Sequence, residues 1–374
     1  MTVEHAPRES LAPPDFRQRR QRLAERIDGL DLQATAYLLT RPTDVRYFTG
    51  FPGSNAVLIV DREGHALLGT DARYAAEARG IGDAQPDVDV LLDRATLATC
   101  AEQVARRGHA RIVAPESSTI AEAATLASFD IDLLPGANLA AELRSSKDAG
   151  EVATIRKACL ITAEALEHVT EEITPGVTEL WVARRIEQLF GELGAEDRAF
   201  ASIVATGHHS ALPHHGPSAT PLSVGDLLVI DIGARVEGYC ADMTRTFVVG
   251  REPAAWQAEI AAVVEAAQRA GRESCRAGVT GREVDAAARS VIEQSGFGDF
   301  FGHGTGHGIG LDVHEAPMMS ARSVDSMSCA TALTVEPGIY LPGRGGVRIE
   351  DTLVTAVDSA EILTVAPHGL RVVG

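Results

Sequence analysis

The 374-residue chain is 45% hydrophobic and carries a formal net charge of -18, the composition of a globular protein long enough for two domain cores. That charge repels phosphates and so excludes nucleic acid and anionic membrane surfaces as partners, and no stretch approaches the roughly 18 apolar residues that a bilayer span needs. The five cysteines, Cys100, Cys159, Cys240, Cys275 and Cys329, stand singly without a CxxC pair, which fits a reducing cytoplasm.

Residues 1 to 15, closing on Pro13-Pro14, read as a flexible tail. The segment MTVEHAPRES leads into no apolar run, so a signal peptide is not expected. Residues 16 to 30 place Leu23, Ile27 and Leu30 on one helical face. Short apolar runs then alternate with helical stretches and turns up to about residue 145, the pattern of an α/β domain. From residue 146 the helices lengthen, and a second domain is expected over 146 to 374. Its first part carries two helices, the second with Ile186, Leu189, Phe190 and Leu193 on one face and Thr178 as its N-cap. Gly176-Val177-Thr178 before that helix is echoed by Gly278-Val279-Thr280 before a later one. The echo suggests an internally duplicated half-unit.

After the first helix pair comes LLVIDIGARVEGYCADMTRTFVVG, residues 227 to 250. Its strand-like apolar runs hold two carboxylates, Asp231 and Asp242, across a short turn. A buried ionised Asp persists only when it is paired or bound to a cation, and no lysine lies within the run. The second half supplies a matching pair. TALTVEPGIY holds Glu336, and GVRIEDTLV holds Glu350 two residues beyond Arg348. On one continuous strand that spacing puts the arginine and the glutamate on the same face, where the guanidinium would orient the carboxylate. Between the pairs, FGHGTGHGIGLDVHE presents His303, His307 and His314 among five alternating glycines, which are expected to give the backbone an unusual path.

Carboxylate oxygens in this number, with a few imidazoles, favour Mn²⁺, Fe²⁺, Co²⁺ or Zn²⁺ over a cysteine-type site. Four carboxylates exceed the needs of one ion, so two bridged ions are expected, with a water activated between them for hydrolysis. The glycines contain neither GxGxxG nor GxxxxGK[ST], which argues against nucleotide binding. The absence of GxSxG argues against a serine nucleophile. In TGHHSALPHHG, His208 and His209 read as solvated loop residues.

These blocks, DIGARVEGYCADMTRT, GHGTGHGIGLDVHE, TVEPGIY and GVRIEDT, resemble the signatures of the pita-bread metallopeptidase superfamily, which holds methionyl aminopeptidase, aminopeptidase P, prolidase and creatinase. DVRYFTGFPGSN and GTDARY resemble the creatinase-type N-terminal domain of the proline-specific branch. The resemblance implies an α/β chain with a creatinase-like domain over 16 to 145 and a pita-bread α+β catalytic domain, internally duplicated about a pseudo-twofold, over 146 to 374. It implies Asp231 on one ion, His307 and Glu336 on the other, and Asp242 and Glu350 bridging both, with Mn²⁺ as the leading metal. Glu336 would also shuttle protons, and His214, or the adjacent His215, would lie beside the scissile bond. His303 and His314 would line the proline subsite and stabilise the oxyanion, with Arg348 and Tyr340 supporting the ligands. The implied reaction is hydrolysis of the bond before proline, in Xaa-Pro dipeptides or at the N-terminus of longer peptides, by a homodimer. A creatinase-like amidinohydrolase and a non-peptidase binding protein share the fold. Cys240 beside Asp242 departs from the bulkier polar residue common in relatives.

Overall fold

A computed structural model describes residues 14 to 30 and 33 to 374, which divide after Arg144 into two compact units. Most of the expected tail lies outside the described residues. Asp15 is not loose, since its carboxylate caps the first helix, Phe16–Asp28, by accepting from the Gln18 amide at 2.9 Å.

The first unit is a six-stranded mixed sheet with helices packed on it. Strand Ala36–Leu39 pairs antiparallel with Ala56–Asp61 on one side and parallel with Arg111–Pro115 on the other. Its core is the apolar run content of those strands, Leu38, Ile59 and Ile112, closed by Val104 and Leu126.

The second unit is built twice from one plan. Helices Ala149–Glu172 and Glu179–Glu192 precede one bent hairpin, and helices Ala255–Ser274 and Gly281–Gln294 precede another. Thr178 and Thr280 cap the second helix of each pair through their hydroxyls, leaving fewer orphan amides at the helix start. The echoed glycines before them, Gly176 and Gly278, both take positive φ, 97° and 84°, a conformation that glycine adopts without a Cβ penalty. Thr178 bridges to Pro221 and Thr280 to Ser326. The Gly-Val-Thr echo is therefore a repeated turn, cap and bridge. Ile155, Leu166, Ile186 and Phe190 cover the first hairpin's Leu228 and Ile230, while Ile260, Val264 and Ile292 pack with Ile339, Val347 and Ile349 of the second. No helix among the described residues is long and apolar enough to cross a membrane.

Each long extended run is broken where it carries its acid, or just after. Leu227–Ile232 gives way at Gly233 to Ala234–Val236, and Tyr239–Cys240 stops at Ala241 and Asp242 before Met243–Val249. In the second half Ala332–Val335 stops at Glu336-Pro337 before Gly338–Leu341, and Gly345–Arg348 stops at Ile349-Glu350 before Asp351–Thr355. The pieces on either side of each second-half break belong to different sheets. Pro337, which lacks an amide donor, suits the first of these breaks. At the second, the buried Arg245 donates to the Glu350 carbonyl at 2.6 Å and to the Asp351 carboxylate at 2.7 Å.

The alternating glycines serve a different end from the one expected. None of Gly302, Gly304, Gly306, Gly308 and Gly310 takes a positive φ. Strand Gly306–Gly308 is instead wedged between neighbours, and a Cβ would collide with the Thr334 carbonyl at Gly306 and with the Ala316 carbonyl at Gly308. Gly306→Ala should destabilise the chain by about 1–3 kcal/mol or more, the usual cost of overpacking a filled interior. A denaturation midpoint equal to that of the wild type would contradict the close approach.

Candidate metal centre

Nine of the side chains singled out from the sequence line one cavity of about 590 Å³: Asp231, Asp242, His307, Glu336, Glu350, His214, His303, His314 and Arg348. The chain breaks make this convergence possible. Asp242, Glu336 and Glu350 all sit where a strand has stopped pairing, so their side chains are not bound to strand alternation and turn into the space between the two halves.

Asp231, Asp242, His307 and Glu350 are buried. Asp231 Oδ2 accepts from Arg348 Nη2 at 2.7 Å, whereas its Oδ1 is buried with no hydrogen-bond partner. Such an orphan oxygen is costly unless something outside the polypeptide satisfies it. Burial pushes the Asp242 and Glu350 carboxyls far above their ordinary range, and the neighbouring acids push them further. Burial likewise lifts Glu336 to about 8, with Asp231 adding to it and Arg348 opposing. Like charges crowded in a dry site cannot all ionise unaided, and a divalent cation among them removes the conflict.

The histidine offers a donor to the same cluster. His307 Nδ1 bonds the Gly308 carbonyl at 3.0 Å, which fixes the proton on Nδ1 and leaves the Nε2 lone pair free. Nε2 lies 3.6 Å from Asp242 Oδ2 and 3.5 Å from Glu336 Oε1. Those separations are long for hydrogen bonds and suit ligands of a common ion. Burial depresses this imidazole to about 4, keeping it neutral and able to ligate. A set of carboxylate oxygens with one imidazole and no sulfur fits hard to borderline divalent cations.

Arg348 differs from its expected role. The break at Ile349 ends the alternation that would have set it beside Glu350. Its fork reaches Asp231 through Nη2, Tyr340 Oη through Nη1 at 2.8 Å and Thr244 Oγ1 through Nε at 3.0 Å. Thr244 in turn donates to Glu350 Oε2 at 2.7 Å, so the arginine orients Glu350 at one remove. Thr244 was missed from the sequence, although its position two residues after Asp242 was a usable signal. His303 closes the network, with Nε2 2.9 Å from Tyr340 Oη and Nδ1 2.7 Å from the Gly304 carbonyl. Burial lowers its pKa to about 4. His314 is exposed on the cavity wall with its ring centroid 4.3 Å from that of His307.

The two adjacent loop histidines separate cleanly. His214 lines the cavity, while His215 turns away to Glu179 at 2.9 Å. His209, expected in solvent, also bonds Glu179, at 2.9 Å.

Comparison with known proteins agrees with this architecture. Residues 153–356 match the model of metallopeptidase family M24, and residues 19–146 match the creatinase/prolidase N-terminal domain. The chain is 37% identical over 350 residues to the uncharacterized peptidase YqhT of Bacillus subtilis, covering 92% of this chain and 95% of that one. Its structure is similar to an Xaa-Pro dipeptidase from Bacillus anthracis, with a TM-score of 0.90, 34% identity and coverage of 96% and 100%. An X-Pro aminopeptidase from Thermotoga maritima gives a TM-score of 0.87, 34% identity and coverage of 95% and 99%.

Proposed function

The chain belongs to metallopeptidase family M24, and from that premise we propose that it hydrolyses the peptide bond preceding proline, in Xaa-Pro dipeptides or at the N-terminus of Xaa-Pro peptides. The observation that carries the metal part of this reading is the orphaned, buried Asp231 Oδ1 among acids whose pKa values burial has raised. The substrate part rests on the similarity to enzymes named Xaa-Pro dipeptidase and X-Pro aminopeptidase, and on a cavity wall that includes the apolar Phe200, Ile203, Val313 and Met318. A tertiary X-Pro amide has no N–H to offer a general peptidase, so recognition falls to apolar contact with the ring.

Asp231 would hold one ion, His307 and Glu336 a second, and Asp242 and Glu350 would span both. Two divalent ions held there, assigned as Mn²⁺ with Co²⁺, Zn²⁺ or Fe²⁺ as alternatives of similar ligand preference, would supply a hydroxide nucleophile at neutral pH and Lewis acidity towards the scissile carbonyl. Glu336 carries the proton from the attacking water to the leaving imino nitrogen, a role suited to a carboxyl lifted towards neutrality. The Arg348, Thr244 and Tyr340 network holds Asp231, Glu350 and His303 in place. His214 and His314 would face the peptide, where a ring N–H can donate to the oxyanion. The five unpaired cysteines are consistent with a reducing cytoplasm, and we assign the working form as a homodimer.

A substrate panel tests the proposal. Xaa-Pro dipeptides, longer X-Pro peptides, Met-Ala peptides and creatine are each assayed with and without Mn²⁺, with products identified. Metal-dependent release of proline, or of a peptide beginning with proline, is the expected result; turnover confined to Met-Ala or creatine overturns it. His314→Ala should lower kcat/KM by on the order of 10² if it stabilises the oxyanion, and unchanged kinetics would make the residue structural.

A further inference from the structure

Outside the cavity, the described residues hold a second set of metal-ligating groups whose donor atoms lie within 4.8 Å of one another: Glu179, His209 and His215. Glu179, the first residue of helix Glu179–Glu192, is fully buried, while the two imidazoles retain 19% and 12% exposure. Each carboxylate oxygen meets one ring nitrogen at 2.9 Å, Oε1 with His209 Nδ1 and Oε2 with His215 Nε2. The two rings stack with centroids 4.1 Å apart and 26° between planes, so they enter from the same side. The outer positions of the carboxylate are taken by the Thr206 amide at 2.8 Å, and by the Ser218 amide and hydroxyl at 3.0 Å and 2.7 Å. Those bonds fix the carboxylate plane as the supporting shell of a metal site does.

The geometry points to a third divalent-cation site, of the zinc class, at Glu179, His209 and His215. Two ligands each ~2.1 Å from a common ion stand ~3.0–3.4 Å apart at angles between right and tetrahedral, within the 4.8 Å that bounds the three donor atoms, and the two rings would turn off their hydrogen-bond axes to aim both lone pairs at one ion. Mixed imidazole and carboxylate donors suit Zn²⁺. To ligate, each imidazole nitrogen facing the carboxylate would shed its hydrogen, to the opposite ring nitrogen by tautomer exchange or to solvent from a charged ring. One carboxylate charge and two neutral imidazoles leave the bound ion partly uncompensated, consistent with its partly exposed position. The ion would staple the start of a helix to the loop that delivers Pro213 and His214 to the cavity. The site shares no ligand with the centre described above.

Zinc uptake by the chelator-stripped full chain, measured by equilibrium dialysis and elemental analysis, tests the assignment. His209→Asn places an amide donor where Nδ1 stood, preserving the hydrogen bond to Glu179 but not a good ligand, and His215→Gln does the same at Nε2. Each should bind one Zn²⁺ fewer per chain than its parent, in the wild type and in an Asp242→Asn background alike. Circular dichroism confirms that each variant is folded. Zinc should also raise the melting temperature of Asp242→Asn by more than that of Asp242→Asn/His209→Asn. Equal uptake by parent and variant in both backgrounds overturns the site and leaves Glu179 a hydrogen-bonded hub. Unaltered total uptake in Asp242→Asn counts instead against the cavity centre, while the difference made by His209→Asn still reports the third ion.

Discussion

Asp242→Asn should lower kcat/KM by ~10³ or more, with the protein still folded and metal add-back unable to restore it. The figure corresponds to about 4 kcal/mol of transition-state stabilisation, within the several kcal/mol that metal-assisted catalysis supplies. The side chain is buried between Glu350, Asp231 and Glu336. An amide of the same shape loses the charge and one of the two anionic oxygens with which Asp242 is proposed to span two ions. Metal-free protein should respond in the opposite sense. Burial and the neighbouring acids hold the Asp242 carboxyl far above its ordinary range, so removing it relieves repulsion. The stripped Asn variant should then melt at or above the stripped wild type near pH 8. Added Mn²⁺ should return the advantage to the wild type, because an ion that binds only the folded state stabilises it by mass action. Turnover near that of the wild type would remove Asp242 from the centre.

The acids and imidazoles were legible because a charged residue inside strand-like apolar sequence demands a partner, and Asp231, Asp242, Glu336 and Glu350 each stand in such a context. The duplication was legible because Gly176 and Gly278 need positive φ, a constraint that marks the sequence itself. Sheet membership was not. TALTVEPGIY and GVRIEDTLV each read as one run, yet each passes from one sheet to another at its glutamate, so the inference from strand alternation that joined Arg348 to Glu350 failed. The alternating glycines likewise mark close contact with Thr334 and Ala316, partners that no local pattern reveals. His209 and His215 looked solvated or catalytic because Glu179, which binds both, is 30 and 36 residues away in the chain.

Glu336→Gln should lower kcat/KM by ~10²–10⁴, the range associated with a positioned general acid–base, and should do so differently from Asp242→Asn. Glu336 is proposed to serve only the ion that His307 also holds, so the Gln variant should lose affinity for one metal while the Asp231 side still loads. Metal titration by calorimetry separates the two cases. The stripped protein offers a second readout with a defined sign. Burial raises this carboxyl from 4.5 to about 8 in the folded chain, so between those values the folded state binds more protons than the unfolded one. The stability it contributes is complete below about pH 4.5 and is lost as pH rises through about 8. Metal-free wild type should therefore lose stability between pH 6 and pH 9, and Glu336→Gln should flatten that slope because an amide does not titrate. A Gln variant with near wild-type kcat/KM would assign the proton transfer to another group. A pH slope left unchanged by Glu336→Gln would show that Glu336 is ionised without help, and the electrostatic case for a cation in the cavity would then rest on Asp242 and Glu350 alone.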